Sequence, residues 1–214
     1  TSGGDCSGMN SAICAVIKMA LYKGLEAFVI REGFAGLLKG NRNQDILAAE
    51  EANLGQNALS YGCGDFFRLG DLGGGDSKFH DQYIIRVGWD DVRSWENQGG
   101  TLIGSARCKE FMSQEGRLQG AFNLISNGID SLVVCGGDGS LTGADIFRNE
   151  WPSLVESLLK QDRITNEQAT KFQHLHIAGL VASIDNDLTC TDLTIGSSTA
   201  VSYTHLRAHE TRED

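Results

Sequence analysis

The run Ser131-Leu132-Val133-Val134-Cys135 passes without a break into Gly136-Gly137-Asp138-Gly139-Ser140. Apolar and without alternation, the first half reads as a strand of a parallel sheet covered on both faces. The glycines that follow let backbone approach a ligand closely, and a helix follows them. Strand, glycine loop and helix in succession form the unit from which α/β sheets are built. In such sheets the functional loops lie at the carboxyl ends of the strands.

The rest of the chain repeats the unit. Met9, Ala12, Ile13, Val16, Ile17, Ala20 and Leu21 fall three and four apart, which predicts a helix over 9–23 stopped by Gly24. Glu26 to Ile30 reads as a short strand, and Thr101 to Gly104 as another. Leu118, Ala121, Phe122 and Ile125 share a helical face that Gly128 closes. Trp151-Pro152 reads as the opening of a further helix, with Pro152 in its first turn. Thr165 and Gln168 form a capping-box pattern for the next one. His176 to Ala182 reads as a strand running into a polar loop. Residues 41–82 break the pattern with Gly73-Gly74-Gly75 and four scattered aspartates (Asp65, Asp71, Asp76, Asp81). They read as a surface insertion with a solvated acidic face and one short helix near Ile46 to Ala52, since no calcium-loop spacing is present. The expected fold is α/β: a doubly wound, mostly parallel sheet with helices on both faces. It is expected to be incomplete, because the chain opens on a loop without a preceding strand.

Three loops carry candidate chemistry: Thr1-Ser2-Gly3-Gly4-Asp5, Gly136 to Ser140, and Ser183-Ile184-Asp185-Asn186-Asp187. The first two are glycine-rich loops entering helices, where backbone N–H groups can hold phosphate oxygens. Neither has the lysine or spacing of the Walker pattern. Alone, each Gly-Gly-Asp is equally what a tight strand-to-helix turn requires. Strand, GGDGS and helix together say more. Asp138 sits among phosphate-binding amides, where it would repel an anion unless a cation such as Mg²⁺ came between them. In the third loop Asp185 and Asp187 lie two apart, so on an extended segment they face one site. One of them could take a hydroxyl proton during phosphoryl transfer; alone, the loop could also be an Asx turn.

Composition narrows the class. Hydrophobic residues at 41% and charged residues at 21% suit a soluble core-forming protein. A net charge of −10 excludes the basic footprint of a nucleic-acid binder, so phosphates must be handled locally. The six cysteines show no metal-ligand spacing and read as reduced thiols of a cytoplasmic protein. No apolar run approaches the ~18 residues of a membrane span.

The segments TSGGDCSGMN, GGTLIGSARCKEF, EGRLQGAFNLI, VVCGGDGSLTGADIFRNEWPSL and IAGLVASIDNDLTCTDLTIG follow one another in this order along the chain. Together they resemble the N-terminal catalytic region of eukaryotic ATP-dependent 6-phosphofructokinases, the fungal type above all. The resemblance covers residues 1–200 apart from the insertion. It implies phosphoryl transfer from MgATP to the 1-hydroxyl of fructose 6-phosphate, giving fructose 1,6-bisphosphate. Gly4, Arg107 and Cys108 would meet ATP, while Gly137, Asp138, Gly139 and Ser140 would line its phosphates. Asp138 would be the Mg²⁺ ligand, and Gly143 would allow close backbone approach. Ser183, Ile184, Asp185 and Asp187 would meet the sugar phosphate, with Asp185 as catalytic base. Glycine at 139, where the pyrophosphate-using branch carries aspartate, favours ATP as donor. The full-length enzyme would be a homo- or hetero-oligomer. Other GGDG-type kinases acting on lipids or NAD, and a non-catalytic ATP-binding module, are the alternatives.

The chain departs from the family in three places. Ala182 stands where relatives have glycine, and residues 41–82 exceed the usual length. Residues 201–214 (VSYTHLRAHETRED) resemble a translated sequencing adapter and read as a non-native tail. Between Leu180 and Gly196 there is no lysine or arginine. The cations that clamp the sugar phosphate are therefore expected downstream and on a neighbouring subunit, and the chain by itself is expected to be inactive.

Overall fold

The computed structural model describes residues 1–41 and 82–210. Helix α1 (Met9–Tyr22) buries Met9 and Ile17 of the predicted face together with Asn10 and Cys14, which that stripe did not include, and Gly24 just beyond it has a φ of +75°. Strand β1 (Ala27–Ile30) pairs antiparallel with β2 (Ile84–Val87), Ala27 opposite Val87 and Ile30 opposite Ile84. Between them lie the short helix α2 (Gly33–Lys39) and the segment beginning at Asn41. An antiparallel bridge joins Asn41 to Gln82, and the Asn41 side chain accepts from the amides of Tyr83 and Ile84, both at 3.0 Å. The long excursion therefore leaves and returns at one point. The helix expected near Ile46 to Ala52, the four aspartates and Cys63 fall outside the described residues.

The second half is the βαβ unit foreseen from GGDGS. Helix α3 (Gln114–Ser126) is capped by Ser113, whose Oγ accepts from the Gly116 amide at 3.1 Å. Strand β3 (Ser131–Gly136) pairs in parallel with β4 (His176–Val181), from Ser131 opposite His176 to Gly136 opposite Val181. Between them run α4 (Asp138–Lys160) and the short α5 (Asn166–Lys171), which begins with the expected Thr165/Gln168 capping box. Helix α6 (Ser197–Glu210) crosses Ala200, and the side chains of 201–207 are all exposed.

Three apolar clusters hold these elements. The largest joins α2, α3, α4 and β3 through Leu37, Phe111, Leu124, Phe147, Trp151 and Leu154. The second packs α1 onto β1 and β2 around Val92 and Trp95. The third, Cys6, Met9, Cys135 and Ala182, lies beneath the glycine loops. The five described cysteines are free thiols. Among the described residues, no helix is long and apolar enough to cross a membrane.

Several local expectations are corrected. Residues 101–104 form a turn, the Gly104 amide donating to the Thr101 carbonyl at 3.2 Å, because the positive φ of Gly100 and Gly104 breaks extension. Pro152 does not open a helix; α4 runs straight through it. A proline within a helix forfeits one backbone bond. Here the buried stripe of Phe147, Trp151, Leu154 and Leu158 spans the position, and the Trp151 indole donates to the Phe172 carbonyl at 2.8 Å. Nor is β3 covered on both faces among the described residues, since Val133 is 41% exposed. Strand β2, apolar in three of four positions, was not foreseen from the sequence.

Asn10 ties α1 to the segment that carries Arg107. Fully buried, it donates to the Gln98 and Gly99 carbonyls, both at 3.1 Å, and accepts from the Leu102 amide at 2.7 Å. Asn10→Ala would orphan all three backbone groups, at a cost of about 2 kcal/mol. Thermal denaturation should show a fall of roughly 4–8 °C for a chain of this size. A loss below about 0.5 kcal/mol would contradict this role.

Candidate active site

The site is built where parallel strands end. The Ser2 amide donates to the Cys135 carbonyl and the Ala182 amide to the Gly136 carbonyl, both at 3.0 Å. Ser2 bridges Gly136 in parallel, and Ala182 bridges Ile195 in the same sense. The three loops picked out from the sequence therefore emerge side by side from one sheet edge. Gly136 is glycine of necessity: a Cβ there would lie 2.6 Å from the Ser2 carbonyl oxygen and 2.9 Å from the Ser140 Cβ.

A fourth segment joins them. The Gly3 amide donates to the Ala106 carbonyl at 3.2 Å, and Ser105 Oγ donates to the Gly3 carbonyl at 2.8 Å. Thr1 Oγ1 donates to the Gly104 carbonyl at 2.7 Å. These bonds set Arg107 and Cys108 beside the first glycine loop.

Together the four segments enclose a cleft of about 500 Å³. Every residue singled out from the sequence lines it: Gly4, Arg107, Cys108, Gly137, Asp138, Gly139, Ser140, Gly143, Ser183, Ile184, Asp185 and Asp187. A larger hollow of about 780 Å³ lies among α3, α4 and the end of α2, but contains none of the loops and presents Glu110 and Glu115 to any anion.

Two cleft glycines have no reason within the chain to be glycine. A Cβ built on Gly4 or Gly139 meets nothing within 4 Å, and neither has a positive φ. Both are exposed. Their missing side chains leave room on the cleft side, as close approach by a ligand requires. Helix α4 starts there with Gly137 as N-cap and no side-chain cap; the Ser140 amide turns back to the Gly137 carbonyl at 3.0 Å, while the Asp138 and Gly139 amides have no acceptor among the described residues.

Charge is sparse and unbalanced. Among the described lining residues Arg107 is the one cation, set against Asp5, Asp138, Asp185 and Asp187. The Arg107 and Asp138 side chains are exposed and make no hydrogen bond or ion pair with a described residue. No group of three or more His, Cys, Asp or Glu side chains suited to a metal occurs among the described residues. One free carboxylate beside open amides instead suits a hard cation that arrives with phosphate oxygens and keeps its waters, as Mg²⁺ does. Burial pushes the Cys108 thiol up from its ordinary value, with the Glu110 carboxylate adding to it against backbone amides that lower it, so this thiol is no ready nucleophile.

The third loop is not extended, as the sequence had suggested. Asn186 turns it with a φ of +54°, its Oδ1 accepting from the Thr194 amide at 2.8 Å and the Thr194 hydroxyl at 3.1 Å. Ser183 Oγ accepts from the Asp185 amide at 3.2 Å and donates to Asp187 Oδ1 at 3.3 Å. Asp185 and Asp187 still reach one cleft, through a turn rather than through strand alternation. The local turn bond is made by the Ser183 hydroxyl rather than by an aspartate, and the Asp185 carboxylate has no partner among the described residues.

Sequence reasoning missed the aromatic wall. Phe34 and Phe111 stack with ring centroids 3.9 Å apart and planes within 8°, and both line the cleft. Gly143 sits against them, its notional Cβ 3.7 Å from Phe111 and 3.8 Å from Phe34. The only available signal was the aromatic at 111, four residues past Arg107; nothing in the sequence brings Phe34 to it.

Comparison with known proteins places this geometry. The family model described as Phosphofructokinase matches residues 1–212. The chain is 46% identical over 201 residues to the ATP-dependent 6-phosphofructokinase subunit beta of Saccharomyces cerevisiae, covering 94% of this chain and 17% of the relative. It is 44% identical over 201 residues to the subunit alpha of the same yeast, covering 94% of this chain and 16% of that one. A solved phosphofructokinase from Saccharomyces cerevisiae superposes with a TM-score of 0.72 at 44% identity, over 98% of this chain and 23% of that one. The chain thus spans less than a quarter of the length of each of these three. With a family model matched along nearly its whole length, an α/β fold shared with a solved member and the family's loops gathered on one cleft, the chain belongs to the phosphofructokinase family.

Proposed function

We propose that residues 1–200 form the nucleotide-binding part of an ATP-dependent 6-phosphofructokinase, with the cleft as its MgATP site. The observation that carries this reading is the pair of glycines, Gly4 and Gly139, whose absent side chains relieve no contact among the described residues yet open the cleft beside Asp138. In this reading the open amides at the start of α4 and of the first glycine loop hold phosphate oxygens. Asp138, with those oxygens, would hold Mg²⁺, which supplies charge neutralisation on the transferred group. Arg107 faces the charge that develops on the phosphoryl oxygens. Asp185 takes the proton from the 1-hydroxyl of fructose 6-phosphate as the new P–O bond forms and the bond to ADP breaks, a contribution of about 10²- to 10⁴-fold.

Family membership favours this reading over a lipid or NAD kinase. The Asp185 carboxylate, without a partner among the described residues, favours catalysis over mere nucleotide storage, since a binding module has no use for such a carboxylate facing the cleft. The relatives are named as alpha and beta subunits, and we assign the full-length protein the same habit of assembling into a homo- or hetero-oligomer, in the cytoplasm.

Calorimetry of MgATP binding tests the site. Asp138→Ala should weaken binding by about 10- to 100-fold and abolish its dependence on Mg²⁺. Gly139→Asp adds a like charge within ~4 Å of phosphate and should weaken it by at least roughly 100-fold. Gly139→Ala should leave the melting temperature unchanged or slightly raised, because its Cβ meets open space. Unchanged affinity in the first two variants would refute the site.

A second expectation concerns turnover. Fructose 6-phosphate carries nearly two negative charges and needs several cationic or amide donors. The described lining offers one cation against four carboxylates. The 214-residue chain alone should therefore bind MgATP yet yield no fructose 1,6-bisphosphate in a coupled assay. Turnover above the protein-free rate would show that the sugar pocket lies within these residues.

A further inference from the structure

A guanidinium removed from water is costly unless every part of it is engaged. Arg117, on α3, is 7% exposed, and its engagement is specific. Nε and Nη2 donate to the two oxygens of Glu150 at 2.7 and 2.9 Å, a bidentate pair. Nη1 donates to the backbone carbonyls of Phe111 at 3.1 Å and Met112 at 2.7 Å. Those carbonyls belong to the 3₁₀ turn Glu110–Met112, which one residue, Lys109, separates from Arg107 and Cys108.

Each end of this linkage matters to the cleft. Phe111 and Met112 line it, and Phe111 carries the stack with Phe34. Glu150 belongs to α4, whose first residues Asp138, Gly139 and Ser140 form the opposite wall. Glu150 lies twelve residues along that helix from Asp138, about 18 Å at the α-helical rise, too far to touch a ligand in the cleft. Its carboxylate and the carbonyls of the turn meet in one side chain. Phe111 also packs edge-on against Phe147 of α4, at 5.3 Å between centroids, which fixes the ring's depth. The guanidinium bonds fix the backbone on either side of it.

We infer that Arg117 is a positioning residue for nucleotide binding: by gripping Glu150 and the Phe111–Met112 carbonyls at once, it sets the spacing between the Arg107–Met112 wall and the α4 wall. The inference rests on the cleft being the MgATP site. Lysine cannot replace arginine here, because an ammonium point charge cannot span a carboxylate and two carbonyls in one plane. Glutamine at 150 keeps the shape but loses the charge that holds the guanidinium in place.

The test measures MgATP affinity by calorimetry in the 214-residue chain, unmodified and as Arg117→Lys, Glu150→Gln and the double variant. Backbone hydrogen exchange is followed in the same samples. Each single variant should raise the Kd about tenfold and speed exchange over residues 107–112, with β3 unchanged. The double variant should bind no worse than the weaker single, since both substitutions cut the same linkage. If Arg117→Lys does not fold, the near-isosteric Glu150→Gln carries the test. A folded variant with a lower melting temperature but an unaltered Kd would make the pair merely structural and overturn the inference, and so would additive losses in the double variant. Failure of the unmodified chain to bind MgATP overturns the functional reading instead, and the inference with it.

Discussion

Two backbone hydrogen bonds at the end of β3 carry the rest of the site. The Cys135 carbonyl accepts from Ser2 on one side, and the Gly136 carbonyl accepts from Ala182 on the other. Parallel pairing staggers strands so that their carboxyl ends come out together, and these bonds extend that register to the residue where each loop begins. The result is three loops, far apart in sequence, fanned along one sheet edge. Crowding at the junction leaves space only for glycine at 136. Cys6, Met9, Cys135 and Ala182 close underneath, so the loops rest on a dry floor. Ala182, 3% exposed, packs in that floor and also lines the base of the cleft.

A second constraint is electrostatic. The chain carries a net charge of −10, and the described cleft residues keep the same sign. Coulomb repulsion would keep a polyphosphate out unless charge is offset within a few ångströms. Uncapped amides at the start of α4 offer partial positive charge without adding side chains, and in the proposed site Asp138 would give a metal ion a foothold beside them. A Walker-type site solves the same problem with a lysine. In the proposed MgATP site one arginine, open amides and a shared cation would take its place, which would account for an aspartate standing where an anion must dock.

Much of this was legible in the sequence because it is local. A strand that ends in Gly-Gly-Asp-Gly-Ser, a capping box and an i,i+3/i+4 stripe are each decided within a few residues, and each formed as expected. What escaped depends on distant partners. Strand β2 is four residues long and is stabilised by β1, across the excursion from Asn41. The Phe34–Phe111 stack brings together residues from segments with no shared motif. Pro152 reads as a helix start until the buried faces on both sides of it force one continuous helix. In the third loop, alternation pointed to the right pair of aspartates for the wrong reason, because the left-handed turn at Asn186 is held by Thr194 from eight residues away.

In the proposed function the three loops and the Arg107 segment form one metal–nucleotide site. Paramagnetic relaxation by Mn²⁺·ATP, read on backbone amides of the isotope-labelled chain, tests it most directly. Amides of 3–5, 107–108, 137–140 and 183–187 should broaden together at substoichiometric Mn²⁺·ATP, while β1 and β2 stay sharp and excess MgATP restores every signal. Broadening centred instead on Glu110 and Glu115, or on only one of the loops, would contradict a shared site.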